Sequence, residues 1–318
     1  MLDWLLGRRG SGAAPKKRSG EGKPAAGEDL FDDELQQRLE YLAIVARRVH
    51  SGRTRAERRS KKTGSGIEFA DHRPYEPGDD FRHLDWPVYG RTGRLLLRLF
   101  EEEEDLSVYL LLDASRSMAF GTPSKLDYGK KLVAALGYVA LASLDRVSVL
   151  AFNEDVTARL PPTRGKNRIF GVFEFLRSVR AEGPTALGES MKTFVSQHKR
   201  RGVAILVSDL YDPVSFETGI NALRFAKFEP YVIQVFDAGE VHPRIFGDVR
   251  LVDDETGETR EITVTPRILE QYARTHSAYR KRIEDFCTQK RVPYLAVDTS
   301  TPFEDAVLRL LRLGGVVG

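Results

Sequence analysis

Asp113-Ala114-Ser115-Arg116-Ser117 follows directly on the apolar run Val108 to Leu112. A carboxylate and two hydroxyls at alternating positions, just past a strand of buried type, can converge on one hard cation such as Mg2+, which prefers oxygen ligands. The same residue types dominate ordinary turns through side-chain to backbone hydrogen bonds. D-x-S-x-S therefore needs company before it reads as a site. Gly183-Pro184-Thr185 precedes a helical stretch, and Gly202 to Val207 is a second apolar run that ends in Ser208-Asp209. In an open parallel sheet, ligands gather outside the carboxyl ends of the strands, near the point where strand order reverses. Asp113 and Asp209 would share that edge, and Thr185 would add a third hydroxyl. The competing roles are a helix N-cap for Thr185 and a turn for Asp209.

The elements needed to position these residues can be read from pattern. Helical spacing over Lys125–Leu144, Arg168–Arg180, Thr185–His198, Phe216–Phe225, Pro266–Lys290 and Phe303–Leu313 alternates with short apolar strands at 108–112, 146–152, 156–160, 203–207, 231–236 and 293–297. Alternation of this length predicts an α/β fold: a doubly wound, mostly parallel sheet with helices on both faces. Val249–Asp253 and Arg260–Val264, with a turn at 254–257, read as a β-hairpin at an edge.

Upstream, 1–30 is expected to be a disordered tail, because Arg8 to Gly27 lacks large apolar residues. The stretch 31–63 is expected to hold a helix capped by Asp32 or Asp33, with Leu35, Leu39, Leu42, Ala43 and Val45 as its apolar stripe. A basic linker follows, with Arg53, Arg55, Arg58, Arg59, Lys61 and Lys62. It has no interleaved aromatics to stack bases, so a solvated segment is the expected role, contact with an acidic partner is the alternative, and nucleic acid is not an expected partner. In 64–104, Asp71, Arg73, Asp79, Asp80, Arg82 and Asp85 are expected to pair among themselves, since packed charges persist only when paired. The alternative is a partner-binding site built on His72, Arg73 and Arg82. The remainder, 105–318, is the wound domain.

The spacing Asp113-x-Ser115-x-Ser117, then Thr185, then Asp209 resembles the metal-ion-dependent adhesion site of von Willebrand factor A domains. The preceding stretch from Gly66-Ile-Glu68 through Asp71-His72-Arg73, Gly78-Asp79-Asp80, Arg82 and Asp85-Trp86, with Arg91 and the acidic run Glu101 to Asp105, is similar to domain-of-unknown-function family 58. That family consists of bacterial proteins carrying a von Willebrand A-like domain. The resemblance implies a von Willebrand A-like fold and a non-enzymatic binding module. Its cation, Mg2+ or alternatively Mn2+ or Ca2+, would be held by Asp113, Ser115, Ser117, Thr185 and Asp209, directly or through water. An acidic side chain of the partner would complete the shell. It further implies partnership with a MoxR-type AAA+ ATPase, a client protein, or both. Arg116, at the variable position, is expected to point away from the cation.

Composition sets limits on function. Across 318 residues, 49 basic side chains nearly balance 46 acidic ones, so no global electrostatic case for nucleic acid exists. The single Cys287 excludes an intramolecular disulfide framework and fits a reducing compartment. No run approaches the roughly 18 to 20 apolar residues that span a bilayer, and the N-terminal pattern is not a secretory signal, so a cytoplasmic location is expected. No G-x-x-x-x-G-K-[ST] loop, nucleophile elbow or H-E-x-x-H pair occurs. The enzymatic alternative is a metal-dependent phosphohydrolase using Asp113 and Asp209, although Ser115 stands where a second acid would favour it.

Overall fold

The computed structural model describes residues 30–50, 59–63, 68–103, 106–212, 216–252 and 259–314. Ahead of the main layer come α1 (Asp33–His50), β1 (Arg59–Thr63), β2 (Glu68–Pro74), α2 (Trp86–Thr92) and β3 (Leu96–Glu103). The main layer begins with β4 (Ser107–Asp113), α3 (Lys125–Ala142), β5 (Arg146–Phe152), β6 (Val156–Arg164), α4 (Ile169–Ser178) and α5 (Leu187–Gln197). It continues through β7 (Val203–Ser208), α6 (Phe216–Phe225), β8 (Glu229–Phe236) and α7 (Ala238–Val241). Last come β9 (Gly247–Val252), β10 (Thr259–Val264), α8 (Pro266–Gln289), β11 (Tyr294–Asp298) and α9 (Phe303–Gly314).

Six strands form the central sheet in the order β11-β8-β7-β4-β5-β6, parallel except for the edge strand β6. Every residue of β4 is buried. Val108, Leu110 and Leu112 face a core shared with α1, α3, α4 and α9, while Tyr109 and Leu111 face one shared with α5, α6 and α8. A strand covered on both faces reads as a continuous apolar run, which is why Val108 to Leu112 was so legible. The chain moves from β4 to β5 on one side and later returns to β7 on the other. The reversal therefore falls between β4 and β7, the place where such sheets bind ligands. This is the doubly wound, mostly parallel α/β arrangement with helices on both faces that the alternation of elements predicts.

α1 begins where expected: Asp32 Oδ1 accepts the Leu35 amide at 2.8 Å. Its stripe is buried at Leu35, Leu39, Leu42, Ala43 and Ala46, with Val45 only half-buried, and it packs on α3 and α9. The expected hairpin is present as β9–β10, a two-stranded sheet of its own. A three-stranded antiparallel sheet β1-β3-β2 also underlies the signature segment. Its register sets Lys61 opposite Glu101 and Arg59 opposite Glu103. Glutamate is depleted in strands, so the acidic run hid this strand from pattern reading. The tail through residue 29, the basic residues Arg53 to Arg58 and the hairpin turn 254–257 lie outside the described residues.

Candidate functional site

Leu112 pairs with Val207 across β4 and β7, and one residue further on the two strands end at Asp113 and Ser208. Ser208 Oγ donates to Asp113 Oδ2 at 2.5 Å, and the Ser115 amide donates to Asp113 Oδ1 at 2.8 Å. Ser115 Oγ and Ser117 Oγ lie 3.1 Å apart. Asp113, Ser115 and Asp209 are buried, and Ser117 is partly open. Burial, followed by the nearby charge of Asp209, pushes the Asp113 carboxyl up to about 7.

The loop carrying Thr185 is held against this turn. The Arg116 amide donates to Gly183 O at 2.9 Å, and the Glu182 amide to Ala114 O at 2.9 Å. Asn153 anchors the other side: its Nδ2 donates to Glu182 O at 2.9 Å, and its carbonyl accepts the Ala186 amide at 3.1 Å. Gly183 sits at φ +72°, where a Cβ would come within 2.9 Å of Asn153 Nδ2, so only glycine fits without displacement. Thr185 does not cap α5. Asp212 Oδ2 instead accepts the Leu187 amide at 2.9 Å. Thr185 Oγ1 is consequently buried with no hydrogen-bond partner among the described residues. Asp209 does make its turn, with Oδ1 accepting the Tyr211 amide at 3.1 Å.

Pattern reading missed Lys125 and Glu240. The fully buried Lys125 Nζ lies 2.7 Å from Asp209 Oδ2 and 2.5 Å from Glu240 Oε1, and 4.6 Å from the Tyr211 ring centroid. Burial opposes its charge, but Asp209 and Glu240 outweigh burial and hold its pKa above the ordinary lysine value. Burial raises Glu240. Tyr211 OH reaches both Glu240 Oε2 and His276 Nε2 at 3.3 Å. One signal was available in the sequence: a lysine in the first turn of a helix opposes the helix dipole, so Lys125 at the start of α3 called for nearby carboxylates.

The expected partner-binding residues lie in a different place and are engaged with one another's neighbours. His72 Nε2 is 2.9 Å from Asp85 Oδ2, Arg73 Nη2 is 2.7 Å from Asp79 Oδ1, and Arg82 Nη2 is 2.6 Å from Asp80 Oδ2. Asp85 also takes Arg98 and caps α2 through the Val88 amide. The segment is thus a charge-paired clamp joining β2, β3 and α2.

The residues at the strand ends suit a hard divalent cation. Thr185 offers an orphaned hydroxyl, the Ser115 and Ser117 hydroxyls lie side by side, and Asp113 carries a carboxylate whose charge burial and then Asp209 disfavour. Two buried carboxylates, Asp209 and Glu240, share one ammonium, Lys125, and Asp113 is a third buried carboxyl close enough to feel the charge of Asp209. A divalent ion would offset the excess negative charge. Among the described residues no group of three or more His, Cys, Asp or Glu side chains could hold a metal; the donors here are chiefly hydroxyls.

Comparison with known proteins places the chain in a family. The uncharacterized protein Rv1480 of Mycobacterium tuberculosis is 25% identical over 299 residues, covering 91% of this chain and 94% of its own. The uncharacterized protein MAV169 of Mycobacterium avium is 29% identical over 114 residues, covering 36% of this chain and 67% of its own. Among solved structures, the conserved hypothetical protein BatB from Bacteroides thetaiotaomicron aligns at 19% identity with a TM-score of 0.39, covering 65% of this chain and 97% of BatB. The manganese-loaded Plasmodium vivax TRAP protein aligns at 17% identity with a TM-score of 0.38, covering 65% of this chain and 72% of that one. Residues 71–282 match the protein family of unknown function DUF58, and the chain belongs to that family.

Proposed function

We propose that this chain is a non-enzymatic, metal-dependent protein-interaction module that serves as adaptor or co-chaperone for a MoxR-type AAA+ ATPase and its client in the cytoplasm. The observation that carries the reading is the orphaned Thr185 Oγ1, buried on a loop bonded to the turn that bears Ser115 and Ser117. A buried hydroxyl without a partner costs about 1–3 kcal/mol, and coordination removes that cost.

Ser115, Ser117, Thr185 and Asp113 would hold Mg2+, with Mn2+ or Ca2+ as substitutes. Asp209 is committed to Lys125 and the Tyr211 amide, which suits it to act through water. Bound there, the cation supplies residual positive charge that an acidic partner side chain can meet. Lys125 neutralises Asp209 from within the core and keeps it from adding a full second charge to the inner shell. The partly open Ser117 marks the side from which a partner could approach. For the phosphohydrolase alternative, Asp113 accepts hydrogen bonds on both oxygens, Asp209 is held in an ion pair, and Ser115 stands where a second acid would favour hydrolysis.

The test is capture of a purified MoxR-type ATPase from the same genome by the immobilised full chain, in Mg2+ and in EDTA. Retention that requires Mg2+ and is lost in Asp113→Ala supports the reading. Equal retention in all samples overturns the metal-dependent mechanism, and no retention overturns the ATPase partnership. Metal-dependent phosphatase turnover lost in Asp113→Ala would replace it with the hydrolase.

A further inference from the structure

The signature segment pairs most of its charges with one another and leaves four large apolar side chains exposed. Phe81 is 62% exposed, Trp86 58%, Tyr89 42% and Leu95 40%. Phe81 stacks on Tyr75 at 5.4 Å between centroids, and Trp86 meets Tyr89 edge-on at 6.2 Å. The Tyr75 amide donates to Leu95 O at 3.0 Å, which brings the two ends of this stretch side by side. Scattered exposed apolar residues are ordinary, but several large ones on one short stretch mark an interaction surface.

Charge distinguishes among possible occupants. Within this segment Glu76, Asp79, Asp80 and Asp85 pair with Arg73, Arg82, Arg98 and His72, Arg73 being shared by Glu76 and Asp79. Arg91 and Arg94 are exposed and form no ion pair with a described residue. Arg91 on α2 and Arg94 just beyond it therefore edge the Trp86, Tyr89 and Leu95 end of the stretch with positive charge that no acid among the described residues pairs. Tryptophan, tyrosine and arginine are the side chains that dominate binding energy at protein interfaces. Two unpaired arginines are few for nucleic acid, whose affinity rests on many phosphate contacts. The chain's own N-terminal stretch is apolar at Trp4 and Leu5 but carries Arg8, Arg9, Lys16, Lys17 and Arg18, so like charges oppose its docking here.

We propose that Phe81, Trp86, Tyr89 and Leu95, with Arg91 and Arg94 at their edge, form a docking surface for an acidic segment of a partner protein that also carries large apolar side chains. This surface does not depend on the cation site. The acid meets the arginines, and the apolar side chains cover the rings.

The test is selection of random phage-displayed peptides on the full chain in EDTA, with counter-selection on Trp86→Ala, followed by anisotropy measurements on a synthetic copy of the enriched peptide. Enriched peptides should combine Asp or Glu with large apolar residues. Their affinity should fall about tenfold or more in Trp86→Ala and in Arg91→Glu/Arg94→Glu, and be unchanged by Mg2+ or by Asp113→Ala. Phe81→Ser provides a second variant at an exposed site if Trp86→Ala melts early. Enrichment of basic or uncharged peptides, or no enrichment, overturns the proposal. So does binding of labelled oligo(dT) through the same residues, or a dimer in light scattering that Trp86→Ala dissociates. Loss of the ATPase capture described above with peptide binding intact would remove only the metal-site reading.

Discussion

Lys125 Nζ lies 2.7 Å from Asp209 Oδ2, and both side chains are closed off from solvent. Glu240 completes the group from α7, so one ammonium ties the ends of β7 and β8 to the start of α3. Removing one partner of a buried ion pair leaves uncompensated charge, at a cost of about 3–5 kcal/mol. Lys125→Met should accordingly lower the urea midpoint by that equivalent, and Lys125→Met/Glu240→Gln should recover part of the loss. An unchanged midpoint in Lys125→Met would show that the three groups do not form a coupled unit.

Thr185→Val separates stability from metal binding. It replaces an orphaned hydroxyl with a methyl of similar size, so without metal the protein should be unchanged or more stable by up to about 1 kcal/mol. Mg2+ affinity, read by calorimetry, should fall at least about tenfold if the hydroxyl is a direct ligand. Loss of stability with unchanged Mg2+ affinity would assign Thr185 a packing role alone.

The sequence reading recovered the parts of this site that obey local rules. β4 and β7 were legible as apolar runs, and Asp113, Ser115, Ser117 and Asp209 at their ends follow from parallel-sheet geometry. Thr185 was legible only as one of two roles, because whether a hydroxyl caps a helix depends on a competitor. Here the competitor is Asp212, distant in sequence. Lys125 and Glu240 were missed because they meet across 115 positions of chain, and neither lies in a motif. Asn153 was missed for the same reason, since its work is to brace a loop that starts 29 residues later. In the signature segment the internal pairing of charges was legible from their density. The strands beneath it were not, and neither was the outward turn of Phe81, Trp86 and Tyr89, which follows from a sheet that acidic side chains disguise.

His276 gives the protein an acid-sensitive group in the core. It is buried against Tyr211 and Tyr272, and burial, followed by Arg280, Lys125 and His242, lowers its pKa from 6.5 to about 4. Between these values the unfolded chain binds a proton that the folded chain excludes. Stability should therefore be intact above about pH 6.5 and fall as the pH drops toward 4. His276→Gln should flatten that part of the pH–stability profile by about 1–3 kcal/mol. An identical acid slope in the variant would place the effect in other groups.

Asp85 joins three elements through a helix cap and a set of ion pairs. Oδ1 accepts the Val88 amide that opens α2 and also Arg98 Nη2 at 3.2 Å, while Oδ2 lies 2.9 Å from His72 Nε2 on β2 and 3.1 Å from Arg98 Nε on β3. The His72 contact first, and Arg98 after it, hold the carboxyl well below the usual carboxylate range. Asparagine is as good an N-cap as aspartate but carries no charge. Asp85→Asn should thus leave amide exchange at Val88 and Tyr89 nearly unchanged and loosen the amides around His72 and Arg98. Asp85→Ala should loosen both groups, and because Trp86 and Tyr89 ride on α2 it should also weaken the selected acidic peptide. Equal exchange profiles for the two variants would mean that the cap and the ion pairs are not independent, and that α2 is fixed by its packing instead.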